Sequence, residues 1–149
     1  MTIKPAKRIP LKNTSGVTDA VLELSIQRVP FPGSIDTKMR TLSARTGVTP
    51  NLLARVGFCL SLEETGIPPD PFESEGEARV INRNTLLGDH DSIYVALLRT
   101  WIYKTYREPV GQDDFNKLFV DHMNRGFELI SARIRSLPDM ANLLGRLAT

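Results

Sequence analysis

One cysteine and two histidines carry most of the reactive potential of this chain, alongside acidic residues gathered in two places. Cys59 as a nucleophile needs a neighbouring base and an electropositive, partly exposed setting. It falls instead on the apolar face of a helical segment, where a free thiol packs as a small hydrophobe. His90 stands between Asp89 and Asp91, which invites a metal reading. Adjacent residues diverge on a helix, however, and no HxxxH or CxxC partner accompanies it, so "GDHDS" reads better as a helix start. His122 lies on an apolar stripe at helical spacing from Phe119 and Arg125, the position of a hydrogen-bonded core or interface histidine. Glu63 and Glu64 diverge at an exposed helix end. Neither "LLGDHDS" nor "GVTPN" has the glycine spacing of a nucleotide fingerprint. Trp101 belongs with the core, while Tyr103 and Tyr106 could face either the core or a stacked base. No catalytic, metal or cofactor set emerges, so a binding or assembly module is expected rather than an enzyme.

What remains is charge. Residues 1–60 hold nine Lys/Arg against Asp19, Glu23 and Asp36, a local net of +6, whereas residues 61–149 net −4. Such a split points to a polyanion partner for the N-terminal part. Within "SIDTKMRTLSARTGVTPNLLARVGFCLSLEET", residues 34–65, three of four cations (Lys38, Arg40, Arg45) fall in the first of two helical runs. Arg28 precedes them, and Lys4, Lys7, Arg8 and Lys12 lie in the N-terminal arm. Guanidinium and ammonium groups arrayed this way neutralise phosphates and release counterions, giving affinity with little sequence information. Glu63 to Glu77 carries six carboxylates and no base, a segment that should avoid nucleic acid.

The elements that must hold these residues follow from period and punctuation. Residues 1–19 read as a flexible basic arm and 20–149 as a single domain, mainly α-helical. "AVLELSIQRV" alternates, with Leu22, Leu24 and Ile26 on one side, and predicts a strand over 20–29 ended by "PFPG". Ser34 is an apt N-cap for a helix with Ile35, Met39 and Leu42 inward, closed by Gly47. Thr49-Pro50 starts a second helix with Leu52, Leu53, Val56, Cys59 and Leu60 on a broad apolar face, running to Gly66. "IPPDPFESEGE" is a loop, and "ARVINRNTLLG" is ambiguous, with a short extended piece as one option. A third helix follows from about Asp89 with Ile93, Leu97, Leu98 and Trp101 inward. A fourth, over about 113–136, carries Phe115, Leu118, Phe119, His122, Phe127, Ile130 and Ile134. A short last helix opens at Pro138, with Leu143, Leu144 and Leu147 apolar. One strand without a partner leaves backbone groups unpaired. Its simplest complement is the same strand of a second copy, which gives a ribbon-helix-helix-like N-terminal part and an oligomer.

At 149 residues, 41% apolar and 24% charged, the chain has the composition of one ordinary globular domain. No apolar run nears the roughly 18 residues of a membrane span. The basic N-terminus lacks a signal-peptide core, and a lone cysteine suits a reducing cytoplasm, where the protein is expected.

The run "LSARTGVTPNLLARVGFCLSLEE" is more specific than a helical hairpin. It resembles the DndE family, the small E protein of the bacterial Dnd system that installs phosphorothioate sulfur in DNA. There a helix runs into T-G-I/V-T-P-N and a second helix carries an Arg and ends F-x-x-S-L/V-E. The matching residues here are Thr46, Gly47, Val48, Thr49, Pro50, Asn51, Arg55, Phe58, Ser61, Leu62 and Glu63. "TLLGDHDSIYVALL" is similar to the start of the family's third helix. "FVDHMNRGFELI" is similar to its histidine-x-x-x-glycine helix, here His122 and Gly126. The three matches stand in register over roughly residues 26–137.

The resemblance implies a non-catalytic, tetrameric protein with ribbon-helix-helix features. It would bind double-stranded DNA, nicked duplex preferentially, beside other Dnd proteins that include an ATPase and a sulfur-transferring enzyme. It also implies DNA-contacting lysines on the first helix. At those places this chain keeps Arg40 but has Thr41 and Ser43, with Lys38 and Arg45 one turn away. The DNA-binding set expected is therefore Lys38, Arg40, Arg45, Arg28, Lys7 and Arg8. Two other readings compete. One is a ribbon-helix-helix transcriptional regulator that reads a palindromic operator through Glu23, Ser25 and Gln27. The other is a scaffold that packs subunits on Leu52, Val56 and Cys59 and docks a basic partner on the acidic 63–77 segment.

Overall fold

A computed structural model describes residues 23–147. The elements run β1 (Arg28–Pro32), α1 (Gly33–Thr46), α2 (Pro50–Glu63), β2 (Glu77–Asn82), α3 (Arg83–Leu87), a single 3-10 turn (Gly88–His90), α4 (Asp91–Tyr106), α5 (Gln112–Arg133) and α6 (Leu137–Leu147). The chain is mainly helical, with one antiparallel pair of strands. The expected basic arm at 1–19, with Lys4, Lys7, Arg8 and Lys12, lies outside the described residues.

The α1–α2 turn forms as its residue types dictate. Gly47 adopts φ 72°, the left-handed conformation that costs a side-chain-bearing residue most, and returns its N–H to the Ser43 carbonyl at 2.9 Å. Thr46 Oγ1 donates to the Leu42 carbonyl at 2.7 Å and accepts from the Val48 N–H at 3.1 Å. Thr49 then caps α2 with extended backbone, and Pro50 takes the first helical position.

Helix α5 is the centre of the fold. A helix at a surface buries one stripe, but here every residue from Leu118 to Asn124 is buried, so neighbours surround it. Its closest neighbour is α2. A Cβ on Gly126 would stand 2.4 Å from the Gly57 carbonyl carbon, and one on Gly57 would stand 2.7 Å from the Gly126 carbonyl carbon. The two backbones therefore touch, which only glycine on both sides allows. Around that crossing Phe58 packs on Phe119 with centroids 5.5 Å apart, and Phe31 meets Phe127 edge-on at 5.7 Å. Each such aromatic pair contributes about 0.5–1.5 kcal/mol beyond its buried area.

The strand differs from its expected position and partner. Residues 23–27 form no regular element, and β1 occupies 28–32, through both prolines. It pairs within the chain with β2, Val29 opposite Ile81 and Phe31 opposite Arg79. The Gln27 carbonyl accepts the Arg83 N–H at 2.9 Å, which puts residues 27, 29 and 31 at the bonded positions. The nitrogens of Pro30 and Pro32 thus face the outer edge, where no ladder donor is needed. That edge is covered: the Pro30 carbonyl accepts from Asn124 Nδ2 at 3.2 Å. With β1 satisfied by β2 and by α5, the ground for a ribbon shared between two copies falls away.

Smaller corrections have related causes. Helix α1 begins at Gly33 after Pro32, so Ser34 is not its cap; instead the Ser34 N–H donates to Glu75 Oε1 at 3.1 Å. Helix α2 ends at Glu63, before Gly66. It buries Leu53, Ala54, Gly57, Phe58, Leu60 and Ser61, leaving Leu52 exposed and Val56 and Cys59 half-buried. In α4 the inward residues are Val95, Leu98, Trp101, Ile102 and Tyr106, while Ile93 and Leu97 point to solvent. On α2 the buried face is centred on Gly57, where the backbone meets Gly126 of α5, rather than on the largest side chains. The expected stripe of α5 is buried throughout, including Ile134 just past its end.

Candidate nucleic-acid interface

The first-helix cations divide into two groups. Lys38, Thr41 and Arg45 follow one another at i, i+3 and i+7, so they share one side of α1. Lys38 Nζ reaches Glu128 Oε2 of α5 at 2.6 Å, with the two side chains 35% and 50% exposed. An ion pair this open contributes about 0–1 kcal/mol, so a phosphate can compete for the ammonium. Arg45 is exposed in the last turn, where a cation offsets the helix C-terminal dipole, and among the described residues no carboxylate lies within ion-pair distance of it. Arg40 lies on the other flank, 73% exposed, and its guanidinium reaches Asp36 at 3.2 Å. Asp36 also takes Arg79 of β2 at 3.1 Å, so the two arginines share one carboxylate. Arg79 was not among the expected cations, because nothing in "EARVIN" marks which side of α1 it would meet.

Arg28 is exposed at the start of β1, on a different element from the α1 cations. Lys7 and Arg8 lie outside the described residues. The N-terminus of α1 is not an open anion site. The Glu75 carboxylate occupies it, accepting the Ser34 N–H and, at 2.5 Å, the Ser34 hydroxyl. Cation-bearing sides of α1, rather than its N-terminus, are what the fold leaves available to a polyanion.

The residues proposed to read bases are placed otherwise. The Ser25 hydroxyl accepts from Asn116 Nδ2 at 2.7 Å, and its N–H donates to Asn116 Oδ1 at 3.2 Å. Gln112 Nε2 holds the Glu23 carbonyl at 2.6 Å, and Arg83 holds the Leu24 and Ile26 carbonyls. Segment 23–27 is thereby tied down along the start of α5 instead of standing in a free ribbon.

The motif residues tie α2 to α5 and to α3. Arg125 Nε donates to Ser61 Oγ at 2.8 Å, and its two other nitrogens donate to the Ser61 and Gly66 carbonyls at 2.6 and 3.0 Å. The same hydroxyl is hydrogen-bonded to His122 Nδ1 at 2.8 Å. His122 Nε2 has no hydrogen-bond partner among the described residues. Burial, with Arg125 adding to it, pushes its pKa down to about 3. The Trp101 ring stands perpendicular to it at 4.3 Å. Arg55 Nε donates to the Leu86 carbonyl at 2.8 Å and so joins α2 to α3. Cys59 is half-buried, and burial with Glu63 behind it pushes its thiol pKa up, away from the reactive thiolate. Tyr106 is buried and Tyr103 exposed. Among the described residues no group of three His, Cys, Asp or Glu is placed to hold a metal ion, and no helix is long and apolar enough to cross a membrane.

Comparison with known proteins follows the same outline. Residues 34–137 match the family described as DNA sulphur modification protein DndE. Among solved structures, the chain is similar to DndE from Escherichia coli B7A, described as involved in DNA phosphorothioation modification. The TM-score is 0.54 at 21% identity, covering 70% of this chain and 96% of that one. A mutant DndE, also described as involved in DNA phosphorothioation, matches with TM-score 0.50 at 18% identity, covering 72% and 98%. No curated protein sequence matches the chain. A family match across the turn, the glycine crossing and the Ser61–His122–Arg125 network covers the parts that build the fold, and the chain belongs to the DndE family of DNA sulphur modification proteins.

Proposed function

We propose that this protein is a non-catalytic, DNA-binding accessory of the cytoplasmic phosphorothioation machinery, which holds double-stranded DNA, nicked duplex in preference, beside other Dnd proteins. The observation that carries the reading is the side of α1 bearing Lys38 and Arg45, whose charges are free or held only by a solvent-exposed pair. Arg40 extends the cationic surface on the other flank and Arg28 at the strand start; Lys7 and Arg8 would add contacts from the arm. Backbone phosphates are the ligand such a surface suits, because isolated cations on one helix neutralise charge without reading base edges.

Replacing Lys38, Arg40 and Arg45 together by Glu tests it. The variant should lose duplex binding in fluorescence anisotropy while keeping its helical circular dichroism. Retained affinity in a folded variant would remove α1 from the interface. The operator-reading alternative has no support from segment 23–27, whose Ser25 is already bonded to Asn116.

A further inference from the structure

Helix α4 ends on an exception. Among the described residues Arg107 is the only one other than glycine with a positive φ, 60°, and its N–H donates to the Tyr103 carbonyl at 3.0 Å. Gly47 closes α1 in the same conformation with the same kind of bond, at no cost to a side chain. A long side chain kept where glycine would fit better is strain of the sort that accompanies function. Tyr103 stands one turn back on the same side of the helix. Its ring is 66% exposed, the most open of the large hydrophobic side chains among the described residues. Lys104 beside it is exposed, and among the described residues no carboxylate lies within ion-pair distance of Lys104 or Arg107. From Ser92 to Arg107 the chain has three cations (Arg99, Lys104 and Arg107) and no acid, inside a half whose net charge is negative. A helix C-terminus favours a nearby cation, which accounts for Lys104. It does not call for a second cation on a strained backbone, nor for an aromatic ring held in water beside the two.

We propose that this end of α4 binds single-stranded DNA, the Tyr103 ring stacking on an unpaired base while Arg107 and Lys104 hold adjoining phosphates. Every base has a π-face, so stacking tolerates any sequence, and the cations draw the backbone to the ring. Charge complementarity selects the occupant. A basic patch around an exposed ring suits an anion that is also aromatic, and a base with its phosphates is both. Intact duplex offers phosphates but keeps its bases paired and stacked, so this site answers to unpaired strand, whereas the α1 surface answers to backbone charge. The two share no residue and differ in ligand, so the failure of one and the failure of the other are separate results.

Fluorescence anisotropy of the full chain on a labelled oligothymidine of about 12 nucleotides provides the test, against a strand of equal length and charge whose sugars carry no bases. The wild type should bind oligothymidine about tenfold tighter than the base-free strand. Tyr103→Ala should remove that difference by weakening oligothymidine alone. Lys104→Gln and Arg107→Gly should weaken both strands, each lowering the log–log salt slope by about 0.7. Arg107→Gly should also raise the melting temperature, because glycine relieves the left-handed turn. Weaker binding by a more stable protein separates a role in binding from a role in folding. Equal affinity of the wild type for the two strands overturns the proposal. So does a Tyr103→Ala protein that keeps the tenfold difference, or an Arg107→Gly protein that binds both strands as the wild type does.

Discussion

Replacing Gly126 by Ala probes the centre of the fold with a single methyl group. The new Cβ would stand 2.4 Å from the Gly57 carbonyl carbon, 2.6 Å from its oxygen and 2.8 Å from the Phe58 nitrogen. Ordinary contact begins near 3.4 Å, so α2 and α5 must part by about 1 Å. All three neighbours are backbone and cannot rotate aside. A gap of that size forfeits about a quarter to a half of the dispersion attraction across the surfaces it opens. Those surfaces include Phe58 on Phe119 and Ser61 on His122. Overpacking of this kind costs up to about 3 kcal/mol, and alanine's helix propensity returns about 1 kcal/mol, leaving a net loss near 2 kcal/mol. For a chain of this size the melting temperature should fall by about 4–8 °C. Gly145→Ala in α6 is the control, since its added Cβ meets nothing within 4 Å and should be neutral or stabilising by up to about 1 kcal/mol. Thermal and urea unfolding followed by circular dichroism read both. A Gly126→Ala protein as stable as its parent would refute backbone contact at the crossing. Gly57→Ala should behave alike, and the double variant should cost less than the two singles combined, because the first substitution already separates the helices.

Other outcomes follow from the same network. Ser61→Ala strips the hydrogen-bond partner from His122 Nδ1 and an acceptor from Arg125, and should cost about 2–3 kcal/mol in urea unfolding. A loss under half a kilocalorie would mean that water replaces the hydroxyl. Stability should respond to pH in two opposed ways. His122 stays neutral down to about pH 3 when folded, whereas an unfolded histidine binds its proton below about 6.5, so acidification through that window destabilises by about 1.4 kcal/mol per pH unit. Asp121, pushed up to about 6 by burial against the pull of Lys117, takes its proton earlier when folded than when unfolded, near 3.8. Acidification from 6 to 4 therefore stabilises through Asp121 by up to about 3 kcal/mol. Asp121→Asn should expose the histidine loss alone, a steeper fall below pH 6 than wild type. Parallel profiles for the two proteins would contradict the assignment.

The helical hairpin was legible because its signals are local. Gly47, Thr49 and Pro50 each act within a turn of themselves, and Ile35, Met39 and Leu42 mark their face by period alone. The strand was not, for two reasons. Prolines argue against a strand in general, but on an outer edge their missing N–H costs nothing, and which edge Pro30 faces depends on a partner 50 residues away. That partner, "EARVIN", is only half-buried in its middle, so it lacks the clean alternation that reveals strands. The close crossing of α2 and α5 was equally hidden, since Gly57 and Gly126 read as weak helix formers until each is seen against the other. The cations of α1 were legible as charges but not as partners. Glu128, 90 residues from Lys38, and Arg79, sharing Asp36, are consequences of packing alone.

The most direct test of function is fluorescence anisotropy of the wild-type protein on three duplexes of one arbitrary sequence: intact, singly nicked and carrying a short gap, each over a salt series. Phosphate binding by the α1 surface and the arm requires a log–log salt slope of several units, at about 0.9 per phosphate neutralised. It should come with tighter binding to the nicked duplex than to the intact one. Equal, weak binding to all three would contradict a role in holding nicked DNA and leave the protein's place in the machinery to contacts with other proteins.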